Sequence, residues 1–236
     1  MKTLTIKLKA PLQAYGNEAT FGRRTTNPYP TKSAVIGMIS ASLGYGRNDK
    51  RILELNNLSF AVRSDQPGQV VNDFQIVEYA KSATKKAKKL TYRYYLQDAI
   101  FMVAIGSENE ELIEKIHYAL QHPKFPLFLG RRSCPPAGPL EIEMFNNQNP
   151  LNVLKSMDWQ AAKWYQRKHP NFSAELVYDA NLGARDHFVF QVKDKVGSFD
   201  QRNRYHDYRE VVSTYIPMKN QINAHVETTH DIISNI

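Results

Sequence analysis

Twice along this chain of 236 residues a strand-like run gives way to helical periodicity and then to a second strand-like run, and that repeat limits the fold more than any other feature. Lys2 to Lys9 alternates, with Leu4, Ile6 and Leu8 on one face and Thr3, Thr5, Lys7 and Lys9 on the other, as a half-buried strand does. After a loop from Ala10 to Pro30, Thr31 is placed to cap a helix. Its apolar positions Val35, Ile36, Met38, Ile39 and Leu43 recur at helical spacing, Gly44 is placed to end it, and Gly37 marks close packing against a neighbour. Leu58 to Val62 reads as the next strand, ending at Arg63-Ser64-Asp65 before the Pro67-Gly68 turn.

The second unit opens with Ala99 to Ile105, a continuous apolar run suited to a central strand. Ser107 and Glu110 make a capping box ahead of Leu112, Ile113, Ile116 and Leu120, and Phe125 to Leu129 reads as the closing strand. Two such units predict an α+β, ferredoxin-like (RRM-like) domain over residues 1–139, with both helices on one sheet face and the other face open. Between the units, Val70 to Leu96 is too long for a tight connection and too polar for a core element. It reads as an inserted β-hairpin arm over about 70–96. Beyond Pro139, a Trp159/Trp164 segment with short-helix character and strand-like runs around Ala174 to Tyr178 and Phe188 to Val192 predict a smaller, mainly β C-terminal region over 140–220. Residues 221–236 carry no pattern and read as a poorly ordered tail.

With 31 Lys and Arg against 23 Asp and Glu, the formal charge is +8. That balance favours a polyanionic partner or an acidic membrane surface. No run approaches the roughly 20 apolar residues that span a bilayer, and the alternating N-terminus is unlike a signal peptide. A single cysteine, Cys134, excludes an intramolecular disulfide and fits a reducing compartment. A soluble cytoplasmic protein without membrane contact is expected. Several of the 13 tyrosines lie inside basic runs, a pairing suited to stacked, unpaired bases.

Four places carry that chemistry. The junction from Pro28 to Ser33 offers free N–H groups, a helix dipole, the Lys32 ammonium and the Ser33 hydroxyl. An ordinary capped helix would look the same, but Arg23 and Arg24 just upstream argue for a phosphate. Lys85, Lys86, Lys88 and Lys89 would by themselves be a solvated loop tip. Arg93, with Tyr92, Tyr94 and Tyr95, turns the arm into a candidate RNA contact. Arg131 and Arg132 follow a predicted strand in a loop stiffened by Pro135 and Pro136, and two guanidiniums there can clamp phosphates. The fourth cluster is Arg202, Arg204, Tyr205, His206, Tyr208 and Arg209. A histidine in such company has the groups for metal-independent RNA cleavage, although nothing pairs His206 with a nucleophile. No metal site is assigned to His225 and His230, and no metal and no cofactor are predicted.

Several runs in order carry a resemblance: Ala10-Pro11-Leu12-Gln13-Ala14-Tyr15-Gly16; Pro30-Thr31-Lys32-Ser33 leading into Val35-Ile36-Gly37; Leu43-Gly44; Phe60-Ala61-Val62-Arg63-Ser64-Asp65; Tyr95-Leu96-Gln97-Asp98-Ala99; and Leu129-Gly130-Arg131-Arg132-Ser133-Cys134-Pro135. Across about residues 1–140 the chain resembles the CasD family of the RAMP superfamily, the subunits that bind the 5′ handle of crRNA in type I-E CRISPR Cascade complexes. The resemblance implies a ferredoxin-like RAMP domain with an inserted thumb. It also implies a non-catalytic role capping the 5′ handle of the guide beside the CasC backbone and the CasA large subunit. With the physical reading, it marks Gln13, Tyr15, Arg23, Arg24, Lys32, Ser33, Arg93, Arg131 and Arg132 as RNA contacts, joined by Lys85, Lys86 and Tyr94 of the arm. The rival is a metal-independent endoribonuclease like the type I-C branch, which would draw on Tyr205 or Tyr208, His206 and an arm lysine.

Overall fold

The computed structural model describes residues 1–16, 22–82, 84–183, 188–220 and 222. In chain order the first elements are β1 (Lys2–Lys9), β2 (Leu12–Gln13), β3 (Arg23–Arg24), α1 (Lys32–Leu43), α2 (Arg51–Glu54) and β4 (Ser59–Gln66). Then come β5 (Gln69–Ala80), β6 (Lys86–Gln97), β7 (Ile100–Ser107), α3 (Glu110–Gln121) and β8 (Glu141–Phe145). The last are α4 (Pro150–Ser156), α5 (Lys163–Lys168), β9 (Phe172–Asp179), β10 (Val189–Ser198) and β11 (Tyr205–Met218).

The architecture is α+β around a seven-stranded sheet in the order β10-β11-β9-β4-β7-β1-β8, antiparallel at every pairing. The strands that follow residue 140 extend this sheet on both sides: β8 pairs with β1, and β9 with β4. On one face Leu4, Ile6, Leu8, Phe60, Phe101 and Val103 pack beneath Ile36 and Ile39 of α1 and Ile113, Ile116 and Leu120 of α3. α1 starts where the sequence places it, with the Thr31 hydroxyl accepting the Ala34 N–H and Gly44 closing it in the left-handed region at φ 78°. Gly37 lies against the Phe199 ring.

The other sheet face is not open. Ala61, Met102, Ala104, Leu176, Tyr178 and Val212 form a second core beneath Leu151 and Leu154 of α4. The Thr3 and Thr5 side chains, which read as solvent-facing, are buried and donate to the carbonyls of Gln148 and Glu143. α4 is fastened by Arg63, fully buried in β4. Its guanidinium donates to the carbonyls of Leu154, Met157 and Asp158 while Asp65 accepts its Nε at 2.6 Å. A short amphipathic helix far along the chain covers the face, and Thr3 and Thr5 of β1 bond the backbone leading into it and β8 rather than water.

Two local expectations are corrected. Phe125 to Leu129 is not a strand, since Pro126 removes a ladder donor, and the edge beside β1 is taken by β8. The cap of α3 is Asn109, whose side chain accepts the Leu112 N–H at 3.0 Å, while Ser107 accepts the Asn109 N–H. The arm is a two-stranded ladder, paired from Gln69 and Gln97 at its base to Ala80 and Lys86 near its tip. Nearly all of the segment read as a tail, 221–236, lies outside the described residues, as do His225 and His230.

Candidate nucleic-acid interface

β6 organises the first group of cationic side chains. Its middle pairs in parallel with β3, Arg23 opposite Tyr92 and Arg24 opposite Arg93. Side chains alternate across a strand, so Arg24, Arg93 and Tyr95 share one side while Arg23, Tyr92 and Tyr94 share the other. The Arg23 guanidinium lies 5.4 Å from the Tyr92 ring centre on that second side.

The arginine loop closes over the first side. Gly130 has φ 87°, and a Cβ there would come 1.6 Å from the carbonyl oxygen of Ala14, so only glycine fits. The Leu129 N–H donates to the Cys134 carbonyl and the Cys134 N–H to that of Arg131, forming a tight loop that throws Arg131 and Arg132 outward. Arg131 donates from Nη2 to the Arg24 carbonyl at 2.8 Å, and its guanidinium lies 4.7 Å from the Tyr95 ring centre. The buried Nη1 atoms of Arg131 and Arg93 have no hydrogen-bond partner among the described residues. Arg24, Arg93, Arg131 and Arg132 have no ion pair among the described residues.

The helix N-terminus expected to hold a phosphate is occupied from within. The Lys32 N–H donates to Asp194 Oδ2 at 2.8 Å, and Lys32 Nζ donates to Asp179 Oδ2 at 3.1 Å. Arg209 completes the cluster, bonding both oxygens of Asp194 and one of Asp179. Lys32 is buried, and burial pulls its ammonium below the ordinary lysine range against the opposing pull of Asp179. Lys32 therefore locks α1 to β9 and β10 and is not available to an RNA strand.

Gln13 and Tyr15 are corrected in the same way. The Tyr15 hydroxyl donates to Gln13 Oε1 at 2.6 Å, Gln13 Nε2 donates to the Ala99 carbonyl at 2.7 Å, and both side chains are buried. Burial raises the Tyr15 pKa well above the usual phenol value. They brace the loop beneath the arginines.

Of the expected contacts, Arg24, Ser33, Arg93, Arg131 and Arg132 converge on one groove of ≈ 1750 Å³. Arg24, Arg93, Arg131 and Arg132 line one part of it. Ser33, Ala34, Gly37 and Met38 of α1 line another, and Lys193, Arg204, Tyr205, His206 and Tyr208 of the β10–β11 hairpin a third. Tyr45 and Arg47, just past the α1 terminus, add a ring and a charge; the Arg51 guanidinium, held by Asp49, lies 4.1 Å from the Tyr45 ring centre. The one carboxylate among the described lining residues is Asp194, already committed to Lys32 and Arg209.

Lys85 and Lys86 stand exposed at the arm's tip, outside this lining, with Lys86 bound to Glu78 at 2.9 Å; Arg23 and Tyr94 face away from it. Tyr45, Arg47 and Lys193 were not marked by sequence reasoning. Their only signal was a Tyr-Gly-Arg run behind a helix-ending glycine and a lysine alternating with apolar residues.

The comparisons agree with this architecture. The family model described as CRISPR-associated protein Cas5 (Cas5d) matches residues 3–217. The CRISPR system Cascade subunit CasD of Escherichia coli strain K12 is 30% identical over 167 residues, 64% of this chain and 75% of that protein. A chain of a solved CRISPR RNA-guided surveillance complex superposes with a TM-score of 0.73 at 26% identity, covering 92% of this chain and 90% of that one. A second solved structure, of a Cas protein, gives a TM-score of 0.65 at 28% identity over 92% and 95% of the two chains. The family match takes in both units, the arm and the hairpin that completes the groove: the chain belongs to the Cas5 family of CRISPR-associated proteins.

Proposed function

We propose that this chain is a non-catalytic crRNA-binding subunit of a type I-E, Cascade-like complex, and that its groove holds the 5′ handle of the guide RNA. One observation carries the reading: four arginines without ion pairs among the described residues share a groove with tyrosines of β6, β11 and the segment past α1, and the one carboxylate among the described lining residues is engaged elsewhere. Guanidiniums serve phosphates and tyrosines serve bases, the combination that single-stranded RNA requires. Within it we assign RNA contact to Arg24, Ser33, Arg93, Arg131 and Arg132.

The strand order β4-β7-β1-β8 supports a ferredoxin-like RAMP core, with the β5–β6 arm as its thumb. Val70, Phe74, Ile76 and Leu90 are exposed on one side of that arm, an apolar surface suited to a neighbouring protein. We assign it to contact with the backbone subunit CasC, with CasA adjoining the handle end, in the cytoplasm.

The test is co-expression with a CRISPR array and the backbone subunit. The chain is expected to co-purify with repeat-derived RNA, and an Arg93→Ala/Arg131→Ala variant to lose most of it. Separately, labelled repeat RNA incubated with the purified chain without metal is expected to stay intact. Site-specific cleavage that disappears in His206→Ala would replace this reading with the endoribonuclease one.

A further inference from the structure

The groove's polar groups divide by chemistry. The arginine group has permanent charge and fits phosphates. The β10–β11 group sets aromatic rings beside Lys193 and Arg204 and contains a ring nitrogen with no hydrogen-bond partner among the described residues. From this division we propose that His206, with Phe199, reads one unpaired nucleobase of an RNA strand whose phosphates lie on the arginines. The proposal rests on the RNA-binding reading above and adds a specificity-determining residue to it.

His206 projects from β11 opposite Val196. The side chain of Asn56 fixes Val196 from below, donating to its carbonyl at 2.9 Å and accepting its N–H at 3.0 Å. Strand position, and with it the imidazole, is thereby set by the body of the protein rather than by a loose hairpin. The Phe199 ring rests over Gly37 on α1 and meets the His206 ring edge-on, with centroids 6.0 Å apart and planes at 68°. An aromatic wall seated on a small residue and a polar ring nitrogen beside it, both lining the groove, together have the form of a base slot.

The buried Nε2 of His206 has no hydrogen-bond partner among the described residues, a deficit that a bound group would satisfy. Burial lowers the imidazole pKa, and Arg204 and Lys193 push the same way against Asp194 and Asp207, so the ring is neutral near pH 7. A neutral imidazole is a poor phosphate ligand. It offers one donor and one acceptor, which suits the edge of a base. Phosphate contacts set position while base contacts set sequence, so the two groups of side chains should separate in experiment.

The measurement is selection of a randomised single-stranded RNA 8-mer library on the purified full-length chain by filter binding and sequencing. Wild type is expected to prefer one base at one position by roughly tenfold. His206→Ala should flatten that position, and His206→Gln, which keeps a donor and an acceptor, should change the preferred base. Arg131→Ala should lower retention of all sequences alike and leave the preference. A preference unchanged in both His206 variants, with melting midpoints close to wild type, overturns the proposal. So does a wild type that retains RNA without any preference. A wild type that retains no RNA even at low salt instead overturns the RNA-binding reading itself.

Discussion

The carboxylate of Asp194 accepts the backbone N–H of Lys32 at 2.8 Å and fills the N-terminus of α1 where a phosphate would otherwise sit. An internal anion there ties the first strand-helix-strand unit to the β10–β11 hairpin. The groove is formed between these parts, so its shape depends on a contact 162 residues apart in sequence.

Asp194→Ala should therefore act on stability. It leaves Arg209 and Lys32 with only Asp179 between them in a buried setting, and removing one partner of a buried ion cluster costs about 3 kcal/mol or more. Urea unfolding followed by tryptophan fluorescence measures it. A change below about 1 kcal/mol would show that the cluster does not hold the hairpin.

Gly130→Ala should disrupt the arginine loop, since the new Cβ would overlap the Ala14 carbonyl and the backbone sits at φ 87°. A loss of at least about 2 kcal/mol is expected, with weaker RNA retention because Arg131 and Arg132 are displaced. Thermal unfolding and co-purified RNA report the two effects, and retention of both at wild-type levels would count against the loop geometry.

RNA affinity should fall steeply with salt. Four phosphates neutralised on a single strand give a log–log slope of about −3, and Arg131→Ala should bring the slope closer to zero by about 0.7. Lys85→Ala/Lys86→Ala should leave it nearly unchanged, because both residues lie outside the groove lining. Fluorescence anisotropy over a salt series checks both.

Acid should weaken the fold through His206. Its folded pKa lies below the ordinary value of 6.5, so near and below that pH the unfolded chain binds the proton more readily. Stability is thus highest above pH 6.5 and falls as pH drops through that value. His206→Gln should show a shallower decline of melting midpoint between about pH 7.5 and 5.5. Equal slopes would assign the decline to other groups.

Much of this could be read from residues alone because the signals are local. The alternation of Leu4, Ile6 and Leu8, the Thr31 cap, the Gly44 terminus and the apolar run ending at Ile105 each depend on neighbours within a few positions. Arg131 was marked because glycine and proline around it constrain its backbone. Tyr45, Arg47 and Lys193 escaped notice because each is an ordinary surface residue until its partners in space are known. Lys32, Gln13 and Tyr15 read as exposed contacts for the converse reason: a polar side chain in a motif looks alike whether it meets solvent or a buried partner.

The sequence by itself determined the first strand-helix-strand unit, the opening strand and helix of the second, the arm between them, the basic and aromatic character of the chain and the loop that presents Arg131. Tertiary structure decided which cations are free. It spent Lys32 and Arg209 on Asp179 and Asp194, covered the second sheet face with α4, and carried Arg204 and His206 to the groove that Arg24, Arg93 and Arg131 line. Local propensity acts over a few residues, whereas ion pairing and burial depend on distances that only the folded sheet sets.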